Sequence, residues 1–200
     1  MNRTSVELPE ARRAVAWVFA LNLIYFFIEF TAATLFSSVS LLADSIDFLE
    51  DSALNLLILV GIGWTLAARV RLSRVLALMM LIPVVSAGWL IVEKILSPEV
   101  PEAGWMTGVG VGALAVNVGC AILMSKYRET GSGVLLAAFF SARNDALANL
   151  GIIIAGLVTL FWASFIPDLV VGLAIMALNL DASWTIWRGG RAEAKNLEDE

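Results

Sequence analysis

The sequence predicts an all-α membrane protein that crosses the bilayer six times, with both termini in the cytoplasm. Of its 200 residues, 60% are hydrophobic, whereas a soluble domain has about 45–50%. The apolar residues are gathered into runs of the length that one helix needs to span the hydrocarbon core, roughly 20 residues. These runs take up most of the chain, so no soluble domain of ordinary size is expected beside them.

Six apolar runs follow one another, separated by short segments rich in serine, proline, glycine or charge. The first is too long for the core of a cleaved signal peptide and contains Glu29, so it is predicted to be a retained helix. Pro83 is placed to kink the third run, and the small residues of the fourth favour close helix packing. The predicted spans are 14–36, 39–67, 75–96, 105–125, 133–161 and 166–187; they form one transmembrane domain over residues 1–187, and residues 188–200 form a short charged cytoplasmic tail.

The positions of the positive charges predict the orientation. With the N-terminus in the cytoplasm, all 13 Lys and Arg residues except two fall on the cytoplasmic side. The exceptions are Lys94, near the end of span three, and Arg143, within span five. Cytoplasmic loops of membrane proteins carry such an excess. The chain is therefore expected to be a multi-pass protein of the cell membrane, the inner membrane of a bacterium, with both termini inside.

Four acidic residues lie close together in the otherwise apolar second span: Asp44, Asp47, Glu50 and Asp51. A charge at the centre of a membrane helix costs at least about 2.5–3.5 kcal/mol, so its presence points to a function. Asp44, Asp47 and Asp51 follow i, i+3, i+7 spacing and share one face of the helix. Glu50 lies about 100° round from Asp51. Asp47 and Asp51, one turn apart, are therefore able to bind the same ion.

Span five is interrupted by a polar segment, residues 141–145, in which Ser141 and Asp145 are one turn apart and point the same way. If spans two and five pack together, these two residues join Asp47 and Asp51 in an oxygen-lined cage. Three carboxylates in a low dielectric repel one another, so the cage needs a cation, bound protons or both. A divalent metal meets that need, and protons replace it when it leaves. This exchange is a physical basis for metal/proton antiport.

An alternative is that the acids only hold the bundle together by pairing with Arg143. That arrangement leaves the charge unbalanced, because one arginine faces five acids in spans two and five. Other charged residues are candidates for the ion pathway or for proton coupling, and Asp168 has an alternative role in capping a helix start. These candidates are Asp44, Glu29, Glu50, Asp168 and Arg143.

Three segments resemble the cation diffusion facilitator family, also called the cation efflux family. Residues 26–29 and 38–51 are similar to its first two helices, and residues 141–151 to its fifth. The resemblance implies a six-helix transporter, usually a homodimer, that exports zinc or a related divalent ion (cobalt, cadmium, iron or manganese) in exchange for protons. No permanently bound cofactor is implied.

The resemblance also implies a metal site of two residues one turn apart on each of helices two and five. These positions fall on Asp47 and Asp51 in span two, and on Ser141 and Asp145 in span five. The three aspartates are then direct ligands. Ser141 or its neighbour Asn144 is a weak fourth ligand, and water fills the remaining positions.

The chain departs from the family pattern in two respects. Ser141 stands where the family usually has histidine or aspartate, and an all-oxygen site suits harder ions such as manganese or iron(II) somewhat better than zinc. Only a tail follows span six, where the family usually has a cytoplasmic C-terminal domain, so the chain is expected to be a short form. Arg143, two residues from the site, is placed to occupy part of it, as in a degenerate family member.

These departures leave a second function open, that of a non-transporting membrane subunit or degenerate homologue that assembles with a full-length cation efflux protein. Transport of a small organic cation is disfavoured, because residues near the acids are small and polar rather than aromatic. An enzyme is not expected, since the chain has no histidine and pairs no nucleophile with a base. No basic patch suggests nucleic acid. The expected partners are the lipid bilayer, a divalent metal cation and a second copy of the chain.

Overall fold

The computed structural model describes residues 9–61, 85–127 and 133–177, and every regular element within these ranges is an α-helix. The all-α class is therefore confirmed for the described residues. The helices are α1 (Pro9–Leu35), α2 (Val39–Gly61), α3 (85–96), α4 (Ala103–Ser125), α5 (Gly133–Phe161) and α6 (Ile166–Ala177).

Three of these helices are long and apolar enough to cross a membrane: α1, α4 and the Ser141–Phe161 part of α5. Helix α2 has 23 residues but carries the four acids, and the described part of α6 is shorter than a span requires. The described part of α1 extends to Pro9, five residues before the predicted span, and proline is tolerated in the first turn of a helix. Residues 62–84, which include the predicted connection between spans two and three, lie outside the described residues, as do the predicted tail 188–200 and most of the charges that predict the orientation.

The long helices pack as two pairs that lie against each other. Helix α1 packs on α2 and α4 packs on α5; α1 also contacts α4, and α2 contacts α5. A buried cluster that includes Ala33 of α1, Leu42 of α2 and Ile152 of α5 joins the pairs. Outward-facing residues such as Phe27 and Leu147 are exposed and apolar, as lipid-facing positions are. This packing sets the acidic helix α2 between α1 and α5.

The start of α2 is capped by a residue from the far end of the described chain. The turn from α1 places Ser37 at a φ of 53°, and the first free amides of α2 then point at Asp168 of α6. The Val39 N–H donates to Asp168 Oδ2 at 2.8 Å and the Ser40 N–H to Oδ1 at 3.0 Å. The hydroxyls of Ser38 and Ser40 donate to Oδ1 at 2.7 and 2.6 Å. Asp168 therefore does cap a helix start, but that of α2 and not of its own helix.

Lys94 of α3 completes this cap. Its ammonium lies 3.7 Å from Asp168 Oδ2, with 1% of the lysine and 0% of the aspartate exposed, and it also donates to the main-chain oxygen of Ser37. The pair ties α3 and α6 to the turn between α1 and α2. Sequence reasoning did not pair these residues, although Lys94 is a cation near the end of an apolar run, which is a signal for a buried acidic partner.

Gly172→Ala is expected to destabilise the bundle, because Gly172 of α6 lies directly against the start of α2. A Cβ added there would lie 2.8 Å from the main-chain carbon of Val39 and 2.9 Å from the nitrogen of Ser40, which is closer than such atoms pack. Helix α6 must then move away from α2, and the free energy of unfolding is expected to fall by about 1–3 kcal/mol. The measurement is the thermal unfolding temperature of purified protein in detergent.

Gly108→Ala is the matched control for this substitution. A Cβ at Gly108 would have no neighbour within 4 Å among the described residues, so alanine there is expected to leave the unfolding temperature unchanged or slightly raised, given its higher helix propensity. Equal unfolding temperatures for the two variants would contradict the close approach of α6 to α2.

Candidate metal centre

The acidic residues of α2 face neighbouring helices rather than the outside of the bundle. Asp44 is fully buried and Asp51 is 7% exposed, whereas Asp47 and Glu50 are half-buried. Asp44 lies beside Glu29 of α1 and Asn149 of α5, and Asp51 contacts Ser141 of α5. Asp44 and Asp51 are separated by about 10 Å along the helix axis. The backbone of α2 satisfies its own hydrogen bonds within the helix. The acidic side chains point toward other helices, so a membrane domain can hold them.

Ser141 of α5 contacts an acid on each of two helices. Its hydroxyl donates to Asp51 Oδ1 at 2.8 Å and lies 3.5 Å from Asp145 Oδ2. A hydroxyl carries one proton, so the shorter contact, to Asp51, is the stronger hydrogen bond. The structure therefore brings Asp51, Ser141 and Asp145 together between α2 and α5. These are three of the four residues that the sequence predicted to line a cage.

Two asparagines donate hydrogen bonds to the main-chain carbonyls of these acidic residues. Asn55 Nδ2 donates to the carbonyl of Asp51, and Asn149 Nδ2 donates to the carbonyl of Asp145, each at 2.7 Å. In both helices the asparagine follows the aspartate by four residues, so the same local arrangement occurs twice. The repeated Asp-x-x-x-Asn spacing is a sequence signal for it that the acids alone did not reveal.

Asp47, the fourth predicted residue, lies within electrostatic range of Asp145 and Asp51. Among the described residues, no three side chains of the Asp, Glu, Cys and His types come close enough to hold one metal ion together. The conformation described here therefore gathers part of the predicted cage without closing it. Closure requires side-chain rotation or a small shift of α5 against α2.

Asn144 and Arg143 lie on an exposed face of α5. The guanidinium of Arg143 donates from Nη2 to Asn144 Oδ1 at 3.3 Å. Residues two apart on a helix project about 200° from each other, so Arg143 points away from the Ser141 contact.

A second acidic pair lies between α1 and α2. Glu29 and Asp44 are each 0% exposed, and their carboxyl groups are neighbours. None of their four oxygens receives a hydrogen bond from the described part of the chain. Asn149 of α5 lies beside Asp44, and its Oδ1 also lacks a partner in these ranges. Of the remaining candidates, Glu50 is half-buried, and Asp168 binds the start of α2 at Val39 and Ser40, about 6–8 Å along the helix axis from Asp44.

Comparisons with known proteins identify the family to which the chain belongs. The family model described as the cation efflux transmembrane domain matches residues 15–190. The zinc transporter ZitB of Escherichia coli (strain K12) is 26% identical to the chain over 205 residues, covering 92% of this chain and 64% of that protein. ZitB of Shigella flexneri gives the same identity and coverage. The chain thus spans a little under two thirds of the length of these relatives.

Proposed function

Because this chain belongs to the cation efflux family, we propose that it exports a divalent metal cation across the membrane in exchange for protons. The observation that carries the proposal is the contact of Ser141 with Asp51 and Asp145 between α2 and α5. Acids buried on two facing membrane helices are costly, and such residues usually mark an ion pathway.

In this proposal Asp47, Asp51 and Asp145 are the metal ligands. Ser141 is the better of the two weak fourth ligands, because Asn144 is exposed and accepts a hydrogen bond from Arg143. The ion enters between α2 and α5 and attracts the carboxylate of Asp47 toward Asp51 and Asp145. The charge of a divalent cation offsets the repulsion between the three aspartates. Alternating access then comes from rocking of helices around this site.

The proposed substrate is zinc or a related transition metal such as cobalt, cadmium, iron or manganese. The name of the relatives supports zinc. The ligand set of carboxylates and a hydroxyl, without histidine, suits harder ions as well. We further propose that the chain acts as a homodimer in the inner membrane of a bacterium, with both termini in the cytoplasm.

The test is uptake of zinc, cadmium, cobalt, iron(II) and manganese into sealed proteoliposomes that contain the purified chain and an internal pH dye. Metal uptake with proton movement in the opposite direction is the expected result, and the panel identifies the ion. Protein that is folded but moves none of these ions would favour the other candidate, a partner subunit of a full-length cation efflux protein. The incomplete closure of the site among the described residues is the observation that favours that alternative.

Ser141→His is expected to raise the preference for zinc over manganese by roughly tenfold, because imidazole suits zinc better than a hydroxyl does. The measurement is the ratio of initial uptake rates of the two ions in proteoliposomes. Thr159→Ser is a suitable control, since Thr159 is also buried on α5 and bonds only to the carbonyl of Ala155 at 2.8 Å. An unchanged ratio in Ser141→His would place Ser141 away from the ion.

A further inference from the structure

The buried pair formed by Glu29 and Asp44 is the strongest feature that the metal site leaves unexplained. Both side chains are 0% exposed, and within the described residues no group donates to any of their four oxygens. Buried carboxyl oxygens without a donor are costly. Two ionised carboxylates side by side are costlier still, since like charges at short range disfavour double ionisation.

The neighbours of the pair supply little of the missing donation. Tyr25 of α1 is close, but its hydroxyl donates to the carbonyl of Val109 at 2.5 Å. Asn149 donates one N–H of Nδ2 to the carbonyl of Asp145, and its amide group lies beside Asp44, whereas no described group donates to the oxygens of Glu29. The other titratable groups that face the pair are acids on α2 and α5, which are Asp47, Asp51 and Asp145.

We propose that Glu29 and Asp44 share one proton and form the binding site of the counter-ion, separate from the metal site. A proton on one carboxyl group makes it a donor to the other, so the bound proton supplies the hydrogen bond that the surroundings lack. A proton fits this site better than a metal does, because two carboxylates offer few ligands in a buried position. This inference rests on the proposed function and assigns its proton to particular atoms.

The position of the pair explains how it is coupled to the metal. Asp44 is about 4.5 Å from Asp47 along the axis of α2, so a divalent cation beside Asp47 acts on the pair at short range through a low dielectric. Metal arrival favours release of the proton to water, and the pair changes from one negative charge to two. When the metal leaves, a proton returns and the pair regains a single charge. Each ion thereby weakens the binding of the other, as linkage requires.

The test measures the number of protons released when zinc binds to the full chain in detergent, by calorimetry in buffers of different ionisation enthalpy. Glu29→Gln and Asp44→Asn are each expected to bind zinc with wild-type stoichiometry and to release about one proton fewer per chain. The slope of log Kd against pH is expected to fall by one in each variant. The zinc affinity of the variants then changes about tenfold less per pH unit than that of the wild type. The matched control is Glu102→Gln, because Glu102 is exposed and its side chain makes no cap hydrogen bond.

Several outcomes would overturn the inference. An unchanged proton count in both variants, with zinc binding intact, would exclude the pair as the proton site while leaving the proposed function standing. Loss of one bound zinc per chain would show a second metal site instead. A wild-type chain that binds no zinc, cadmium, cobalt, iron(II) or manganese would remove the proposed function and this inference with it.

Two further measurements cover the case in which the variants fail to fold. The exchanged double variant Glu29→Asp/Asp44→Glu keeps both carboxyl groups and their total volume, so it is expected to restore the wild-type proton count. Infrared difference spectra of the wild type are expected to lose the carbonyl stretch of a protonated carboxylic acid when zinc binds. Absence of that change in the wild type would overturn the inference without any variant.

Discussion

Asp51→Ala is expected to reduce zinc uptake into proteoliposomes by at least about 100-fold, beyond the loss usual for residues that only support a ligand. Asp51 is 7% exposed and accepts the 2.8 Å hydrogen bond from Ser141. Its removal takes away a metal ligand and leaves the serine hydroxyl without its closer partner. The measurement is the initial rate of uptake at saturating zinc, compared with the rate at tenfold lower zinc to separate turnover from binding.

The control for this variant removes a carboxylate that lies outside the proposed metal site. Glu93 is exposed on α3, and Glu93→Gln is expected to keep the wild-type uptake rate. Both proteins are first compared with the wild type by size-exclusion profile and unfolding temperature. Uptake above a tenth of the wild-type rate in well-folded Asp51→Ala would rule out Asp51 as a ligand.

Asp168→Ala is expected to lower the free energy of unfolding by about 3–5 kcal/mol, because it leaves the buried ammonium of Lys94 unpaired. The variant also removes the cap from α2, including the hydrogen bonds from the Val39 and Ser40 amides. For a chain of this length the unfolding temperature is expected to drop by roughly 10 °C. The measurement is thermal unfolding of the purified protein in detergent, followed by circular dichroism.

A double-mutant cycle distinguishes the ion pair from the cap. Lys94→Met alone removes the buried cation, and Lys94→Met/Asp168→Ala is expected to be less destabilised than the sum of the two single variants, because no charge is then left unpaired. Additive effects would show that the ammonium does not depend on Asp168. A wild-type unfolding temperature in Asp168→Ala would contradict the cap itself.

Apolar run length was a sufficient guide to the helices that the structure describes, since a membrane helix must satisfy its own backbone and be long enough to span. The predicted positions of the helix ends were less accurate. Helix α1 begins at Pro9 rather than residue 14, because hydrophobicity marks the membrane part of a helix and not its polar extension. The packing of α2 against α5 was a condition of the predicted cage, because acids in apolar helices must point away from lipid, but the sequence pattern does not say toward which helix.

The partners of individual side chains were less predictable. Asp168 was singled out from the sequence as a possible cap, but local spacing cannot show that the start of α2, 129 residues away at Val39, is the one it caps. Glu29 and Asp44 were each singled out from the sequence as acids within an apolar run and as candidates for the ion pathway or for proton coupling. That they face one another depends on how α1 is rotated against α2, which a pattern of apolar residues constrains only loosely.

The cap on α2 also has a consequence for the order of events during synthesis. The residues that complete the start of α2 are separated from it by 130 positions, from Ser38 to Asp168. At the usual pace of translation a ribosome needs roughly ten seconds to cover that distance. During this interval the first helical hairpin resides in the membrane with its leading amides unsatisfied. Helices α1 and α2 are therefore expected to reach their full stability only after α6 has been synthesised. A nascent chain stalled before Asp168 should be markedly more sensitive to proteolysis than one stalled after it.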